Sequence, residues 1–145
     1  MKKSFFTNDE IHQIVNSIQE AEKMTSGEIR VHVESRCWQN PLRRAILVFK
    51  KLNMHRTKLH NGILIYLATK SQKFAIIGDK SINEKVPADF WDNLIKNMQP
   101  YFQSKKICEG ICEAIRPVGE KLKEFFPPVK NDVNELTNEI SIGDN

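Results

Sequence analysis

The chain has no long apolar run. Among its 145 residues the longest strongly hydrophobic stretch is Ile63 to Ala68, far short of the roughly 20 residues that a spanning helix needs. No membrane span is expected. The opening Met1-Lys2-Lys3-Ser4-Phe5-Phe6 resembles the start of a secretory leader, but it turns polar at Thr7-Asn8-Asp9-Glu10. No apolar leader segment follows, and a cytoplasmic protein is expected. Cysteine is sparse. Cys37, Cys108 and Cys112 are the only three, in keeping with a reducing compartment. Cys108 and Cys112 stand four apart on an expected helix, with no histidine or cysteine near them in sequence. They read as small buried hydrophobes and not as half of a zinc site. None of His12, His32, His55 and His60 falls in a zinc motif. The sequence lacks a glycine-rich phosphate loop and a nucleophile-elbow serine.

One sign of charge is missing over a long stretch. No acidic residue occurs between Glu34 and Asp79, while Arg36, Arg43, Arg44, Lys50, Lys51, Arg56, Lys58, Lys70 and Lys73 all do. The part from Arg36 to Lys58 is a candidate surface for an acidic protein or a phosphate-bearing ligand. No nucleic-acid partner is expected. After Val129 the sign reverses, with Asp132, Glu135, Glu139 and Asp144 against Lys130.

What is present suits one globular domain. Hydrophobic residues make up 40% and charged residues 28%, enough for a single core. Thr7 and Glu10 form a capping box for a first helix, stapled by Phe6 and Ile11. Ile11, Ile14, Val15, Ile18 and Ala21 make its apolar stripe, and Gly27 is placed to end it in the left-handed conformation. Glu28 to Glu34 alternates as a strand, with Arg30, His32 and Glu34 on its less covered face. His32 there reads as a packed surface residue, and Cys37-Trp38 follow in a loop. Asn40-Pro41 caps a second helix. Gly62 to Ala68 is a strand apolar on both faces, joined by a short turn to a third strand, Lys73 to Gly78. The crossover helix makes the first two strands parallel, and the short turn makes the last two antiparallel. A loop follows Asp79. A third helix opens at Val86-Pro87 and is kinked or ended by Pro100. Ser104 caps a fourth, with a bend near Pro117. The fold expected is a three-layer α/β/α sandwich: a small mixed sheet flanked by about four helices. It spans residues 1–127, and 128–145 form an acidic, disordered tail.

This topology brings three turns to one edge of the sheet: Ser26-Gly27-Glu28, Asn61-Gly62 and Gly78-Asp79. The third helix starts nearby with Asp89 and Asp92. Carboxylates, an amide and a hydroxyl together make a hard-oxygen environment that suits Ca²⁺ or Mg²⁺. Glu28, Asp79, Asp89 and Asp92 are the candidate ligands, supported by Ser26 and Asn61. The same residues also serve as ordinary turn and cap residues.

Four segments resemble the TPM domain family. They are Thr25-Ser26-Gly27-Glu28-Ile29-Arg30-Val31, Asn61-Gly62-Ile63-Leu64-Ile65, Ile76-Ile77-Gly78-Asp79, and Met98-Gln99-Pro100-Tyr101-Phe102 with Glu109-Gly110-Ile111. The resemblance runs from Phe6 to about Pro127. It implies a three-layer α/β fold, divalent-cation binding in some members and acid phosphatase activity in a plant branch. Other members resemble accessory modules that maintain membrane proteins or photosystems. Ser26, Glu28, Asn61 and Asp79 match motif positions, and Asp89 is a shifted equivalent. Two functions are carried forward. One is Ca²⁺ or Mg²⁺ binding with weak metal-dependent phosphatase activity. The other is a non-catalytic interaction or membrane-protein maintenance module using the basic face.

Overall fold

Local chemistry sets where most of the elements begin. In the computed structural model, which describes residues 5–128 and 136–143, α1 (Asn8–Glu22) starts at the expected capping box: Thr7 and Glu10 each hydrogen-bond the other's backbone N–H. β1 (Glu28–Glu34), α2 (Pro41–Lys51), a 3₁₀ turn (Met54–Arg56), β2 (Gly62–Ala68) and β3 (Lys73–Gly78) follow. Then come α3 (Lys80–Lys85), α4 (Phe90–Gln103), α5 (Ile107–Phe125) and β4 (Ser141–Ile142). The sheet order is β3-β2-β1-β4. β1 and β2 are parallel, with Glu28 opposite Gly62, and β3 is antiparallel to β2.

Strand alternation builds two cores, one on each side of the sheet. Ile29, Val31, Val33, Ile63, Ile65, Leu67 and Ile76 face α1, α4 and α5. Leu64, Tyr66, Ala68 and Ala75 face Ala45, Val48 and Phe49 of α2. The result is a helix–sheet–helix sandwich.

Several local expectations give way to packing. The first helix ends at Glu22, before Gly27, and no glycine has a positive φ. Gly27 serves close approach instead: a Cβ there would lie 2.9 Å from the Leu122 side chain of α5. The loop expected after Asp79 is the short helix α3, capped by Asp79 itself. α4 runs through Pro100 to Gln103. Proline's missing N–H deprives the Lys96 carbonyl of its helical donor, and burial of Leu94 and Met98 in the core holds the helix together across it. Ser104 closes α4 and does not open α5. Lys105 turns left-handed at φ 61°. The Lys105 and Lys106 N–H groups then donate to Phe102 and Tyr101, which is a Schellman stop built without glycine.

The segment after Pro128 was expected to be disordered throughout. Residues 129–135, 144 and 145 lie outside the described residues, but 136–143 return to the sheet. β4 pairs in parallel with β1, and Leu136 is buried in the α2-side core. A short segment of two bridging residues has too little periodicity to be read from sequence.

The face of β1 expected to be only partly covered is closed by a buried polar cluster. The Glu34 side chain has no exposed surface. Its carboxylate accepts Arg44 Nε at 2.8 Å and Arg44 Nη2 at 2.9 Å. It also accepts the Tyr66 hydroxyl, and His32 Nε2 lies 3.2 Å away. His32 Nδ1 is 2.8 Å from Ser141 Oγ on β4. His32 is thus buried. Burial pushes the Glu34 pKa up, but its three hydrogen-bond partners outweigh that and hold it down at about 2. Burial also pushes His32 below its usual value, against the pull of Glu34.

Three outcomes follow from the packing on the two sides of the sheet. Both depressed groups favour the folded state above their ordinary pKa values, and that contribution is lost on acidification. The urea midpoint should therefore fall first as pH drops below 6.5, the ordinary value of His32, and again between 4.5 and about 2 for Glu34. Arg44→Met should raise the Glu34 pKa, read by carboxyl NMR, and should cost on the order of 3 kcal/mol in urea unfolding. Gly119→Val should also destabilise, by about 1–3 kcal/mol, because a Cβ at Gly119 would lie 2.9 Å from Ala21 Cβ across the α1–α5 contact.

Candidate functional site

Strand register alone decides which side chains gather at the lower edge of the sheet. Glu28 opens β1 opposite Gly62, and the Asp79 N–H donates to Gly62 O at 2.9 Å just after β3 ends. Glu28, Gly62 and Asp79 are thus consecutive across three strands. Ile29 and Ile63 belong to the α1-side core, so alternation turns Glu28 and Gly62 to the α2 side. Strands lie about 4.8 Å apart, so the two acidic residues are about 10 Å apart along the rim, with a glycine between them.

Ser26 and Asn61 join the same rim. Asn61 O accepts the Glu28 N–H at 3.3 Å, and Asn61 Nδ2 is 3.5 Å from Ser26 Oγ. Both residues are buried. The Ser26 N–H donates to Phe126 O at 2.9 Å, and the Thr25 hydroxyl donates to the same carbonyl. The end of α5 therefore fixes the 25–27 turn.

Asp79 divides its two oxygens. Oδ1 accepts the Lys80 N–H at 2.8 Å and starts α3. Oδ2 is buried and, among the described residues, accepts no hydrogen bond. His60 Nδ1 stands 3.4 Å from it. His60 holds a left-handed φ of 50° and accepts the Ser81 N–H at its carbonyl, which keeps it beside Asp79. Nothing in its sequence surroundings had singled it out.

Glu28 has a partner that was equally hidden. Its Oε1 accepts the Leu136 N–H at 2.8 Å. The Leu136 side chain and Met54 lie over Gly62, where a Cβ would be 3.9 Å and 3.5 Å from them. The returning C-terminal segment and the 3₁₀ turn therefore cover the middle of the rim with apolar groups. Beside it, a cleft of about 450 Å³ is lined by Gln19, Glu22, Thr25, Glu28 and Asn138, among others. Glu22 reaches this place from the last turn of α1, where its Oε2 accepts the Ile29 N–H at 2.8 Å.

Asp89 and Asp92 are placed differently. Both are exposed, and Asp89 Oδ2 is 3.4 Å from Asn93 Nδ2. The start of α4 is tied to the rim through Trp91 Nε1 to Asn83 Oδ1 at 3.1 Å and Asn83 Nδ2 to Gly78 O at 2.9 Å. Yet α4 packs on the α1-side core, across the sheet from the side to which Glu28 turns. Among the described residues, no group of three or more His, Cys, Asp or Glu side chains is close enough to hold a metal ion. An ion at the rim would need mixed oxygen donors: carboxylate, amide, hydroxyl and backbone carbonyl. Asp79 Oδ2 fits such a role, being a buried acceptor with no hydrogen bond among the described residues.

The other chemically suggestive arrangement, Ser141–His32–Glu34, has the order of a nucleophile, base and carboxylate. Its carboxylate is engaged by Arg44 and Tyr66, so it binds layers together instead of orienting a base.

Comparison with known proteins agrees with this fold. No curated protein matches the sequence. The solved structure of BA42 from the psychrophilic bacterium Bizionia argentinensis is 43% identical, with 99% of each chain covered and a TM-score of 0.90. The N-terminal domain of a P. gingivalis protein is 17% identical over 88% of this chain and 84% of that one, at a TM-score of 0.69. The N-terminal domain of the cg2496 protein from Corynebacterium glutamicum is 13% identical over 81% and 74%, at 0.65. These last two share the fold. A family model described as the TPM domain matches residues 2–121, most of the chain, and the protein belongs to the TPM domain family.

Proposed function

We propose that this TPM domain binds a divalent cation, Ca²⁺ or Mg²⁺, at the rim where β1, β2 and β3 meet. The observation that carries this reading is Asp79 Oδ2, a buried carboxylate oxygen with no hydrogen bond among the described residues. With the His60 ring nitrogen beside it at 3.4 Å, its charge is incompletely compensated, and a cation completes the compensation. Asp79 is the anchoring ligand. Ser26 and Asn61 line the same rim. Glu28, about 10 Å from Asp79 beyond Gly62 and bonded through Oε1 to the Leu136 N–H, adds negative field, while backbone carbonyls and water complete the shell. Asp89 and Asp92, exposed at the start of α4, add negative field near the rim and are assigned no direct bond.

The reading is binding first. The Ser26 and Thr25 hydroxyls at the rim are directed to Phe126 O, and no base sits on either among the described residues. A bound ion supplies Lewis acidity to a phosphoryl oxygen or to a water, and the weak phosphatase activity implied by the family would depend on it.

Amide NMR during Ca²⁺ and Mg²⁺ titration should move resonances at Ser26–Glu28, His60–Gly62 and Asp79–Ser81 together. Asp79→Asn keeps a helix-capping side chain at α3 but removes the charge, so it should weaken binding about tenfold or more without unfolding the chain. Wild-type protein at an ion concentration of 100 Kd should gain about 2.7 kcal/mol of stability, and the Asn variant should gain little at the same concentration. Shifts confined to the Glu22–Glu28 cleft, or an Asn variant that binds like wild type, would remove Asp79 from the site. Hydrolysis of p-nitrophenyl phosphate should follow the same ion dependence and fall in Asp79→Asn.

A further inference from the structure

We propose that the outer face of α2, together with Trp38, is a docking surface for an anionic membrane. α2 is the main helical cover on its side of the sheet, held down by Ala45, Val48 and Phe49. Its other face carries exposed residues. On that face Leu42 is 50% exposed, Ile46 43% and Leu47 52%, and Trp38, two residues before the Asn40 cap, is 81% exposed. A chain with ordinary folding economy leaves large apolar groups in water singly, not four within ten residues.

The charges next to them in sequence share one sign. Leu42, Ile46 and Lys50 run along one i, i+4 row of the helix, and Arg43 and Leu47 form the next. Arg36 lies over the Trp38 ring at 5.4 Å. No acidic residue occurs anywhere in 35–78 to repel an anionic surface. Interleaved apolar and cationic groups on one rigid helix face match a lipid interface. Tryptophan and aliphatic side chains enter below the headgroups, while Arg and Lys remain at the phosphates. An acidic protein would neutralise the cations but would also need pockets for four apolar groups. No helix among the described residues is long and apolar enough to cross a membrane, so the contact is peripheral. It is independent of the cation at the rim.

The test uses the full chain with vesicles of phosphatidylcholine alone and with roughly one-third phosphatidylserine, in EDTA so that no divalent ion bridges protein and lipid. The protein should sediment with the anionic vesicles and not with the neutral ones, and salt should release it. In a Trp91→Phe background, emission from Trp38 should shift to the blue on binding. Leu42→Gln with Leu47→Gln, and separately Arg43→Glu with Lys50→Glu, change exposed positions and should each weaken sedimentation about tenfold or more. Folding of each variant is checked by its amide spectrum. Three results would overturn the proposal: folded wild type left in the supernatant, variants that sediment like wild type, or binding without a Trp38 shift that soluble polyglutamate matches. The last would assign the face to an acidic protein.

Discussion

The interaction on which the architecture depends is the burial of the Glu34 carboxylate. A charge taken fully out of water is tolerated only when its lone pairs are filled. Arg44 brings two donors from α2, Tyr66 one from β2, and His32 lies beside it on β1. One carboxylate thereby ties the central strands to the helix above them. Through Ser141, His32 extends the tie to β4. The layer above the sheet is thin, consisting mainly of α2 and a 3₁₀ turn, and its apolar core is the smaller of the two. Polar bonds of fixed geometry give it an orientation that a small hydrophobic contact would leave loose.

That orientation has functional weight. With Arg44 held inward, the helix has one way to present its remaining side chains, and Leu42, Ile46 and Leu47 are directed to solvent along with Arg43 and Lys50. The larger layer below the sheet is governed by close approach. Gly27 and Gly119 each leave room for a neighbour that a Cβ would meet at 2.9 Å, and α5 is thereby drawn tight against α1 and the 25–27 turn. The carbonyl of Phe126 then holds that turn at the rim. The candidate site is thus positioned by packing that starts far from it in sequence.

Much of this was legible in the amino-acid order. The capping box at Thr7 and Glu10, the Asn40-Pro41 cap, the two-sided apolar run of β2 and the tight turn to β3 are local signals, and each element formed where its signal lies. Strand parity followed, and with it the gathering of Ser26, Glu28, Asn61 and Asp79 at one edge. Asp89 and Asp92 read as neighbours of that edge because they are near it along the chain. They are separated from the α2 side of the sheet because α4 answers to the opposite core. His60 and Glu22 went unnoticed because a single polar residue in a loop or a last helical turn carries no pattern.

The sequence by itself determined the three-layer fold, the parallel and antiparallel pairings and the one-signed charge between Glu34 and Asp79. These rest on periodicity, caps and composition, which act over a few residues. Only the tertiary structure decided that Gly27 is a packing residue, that Leu136 closes over Gly62 and takes one oxygen of Glu28, and that Asp79 Oδ2 is buried beside His60 with no hydrogen bond among the described residues. Those outcomes join residues about 20 to 110 positions apart. They depend on which groups remain unsatisfied after the layers have packed, a balance of burial and hydrogen bonding that no local pattern records.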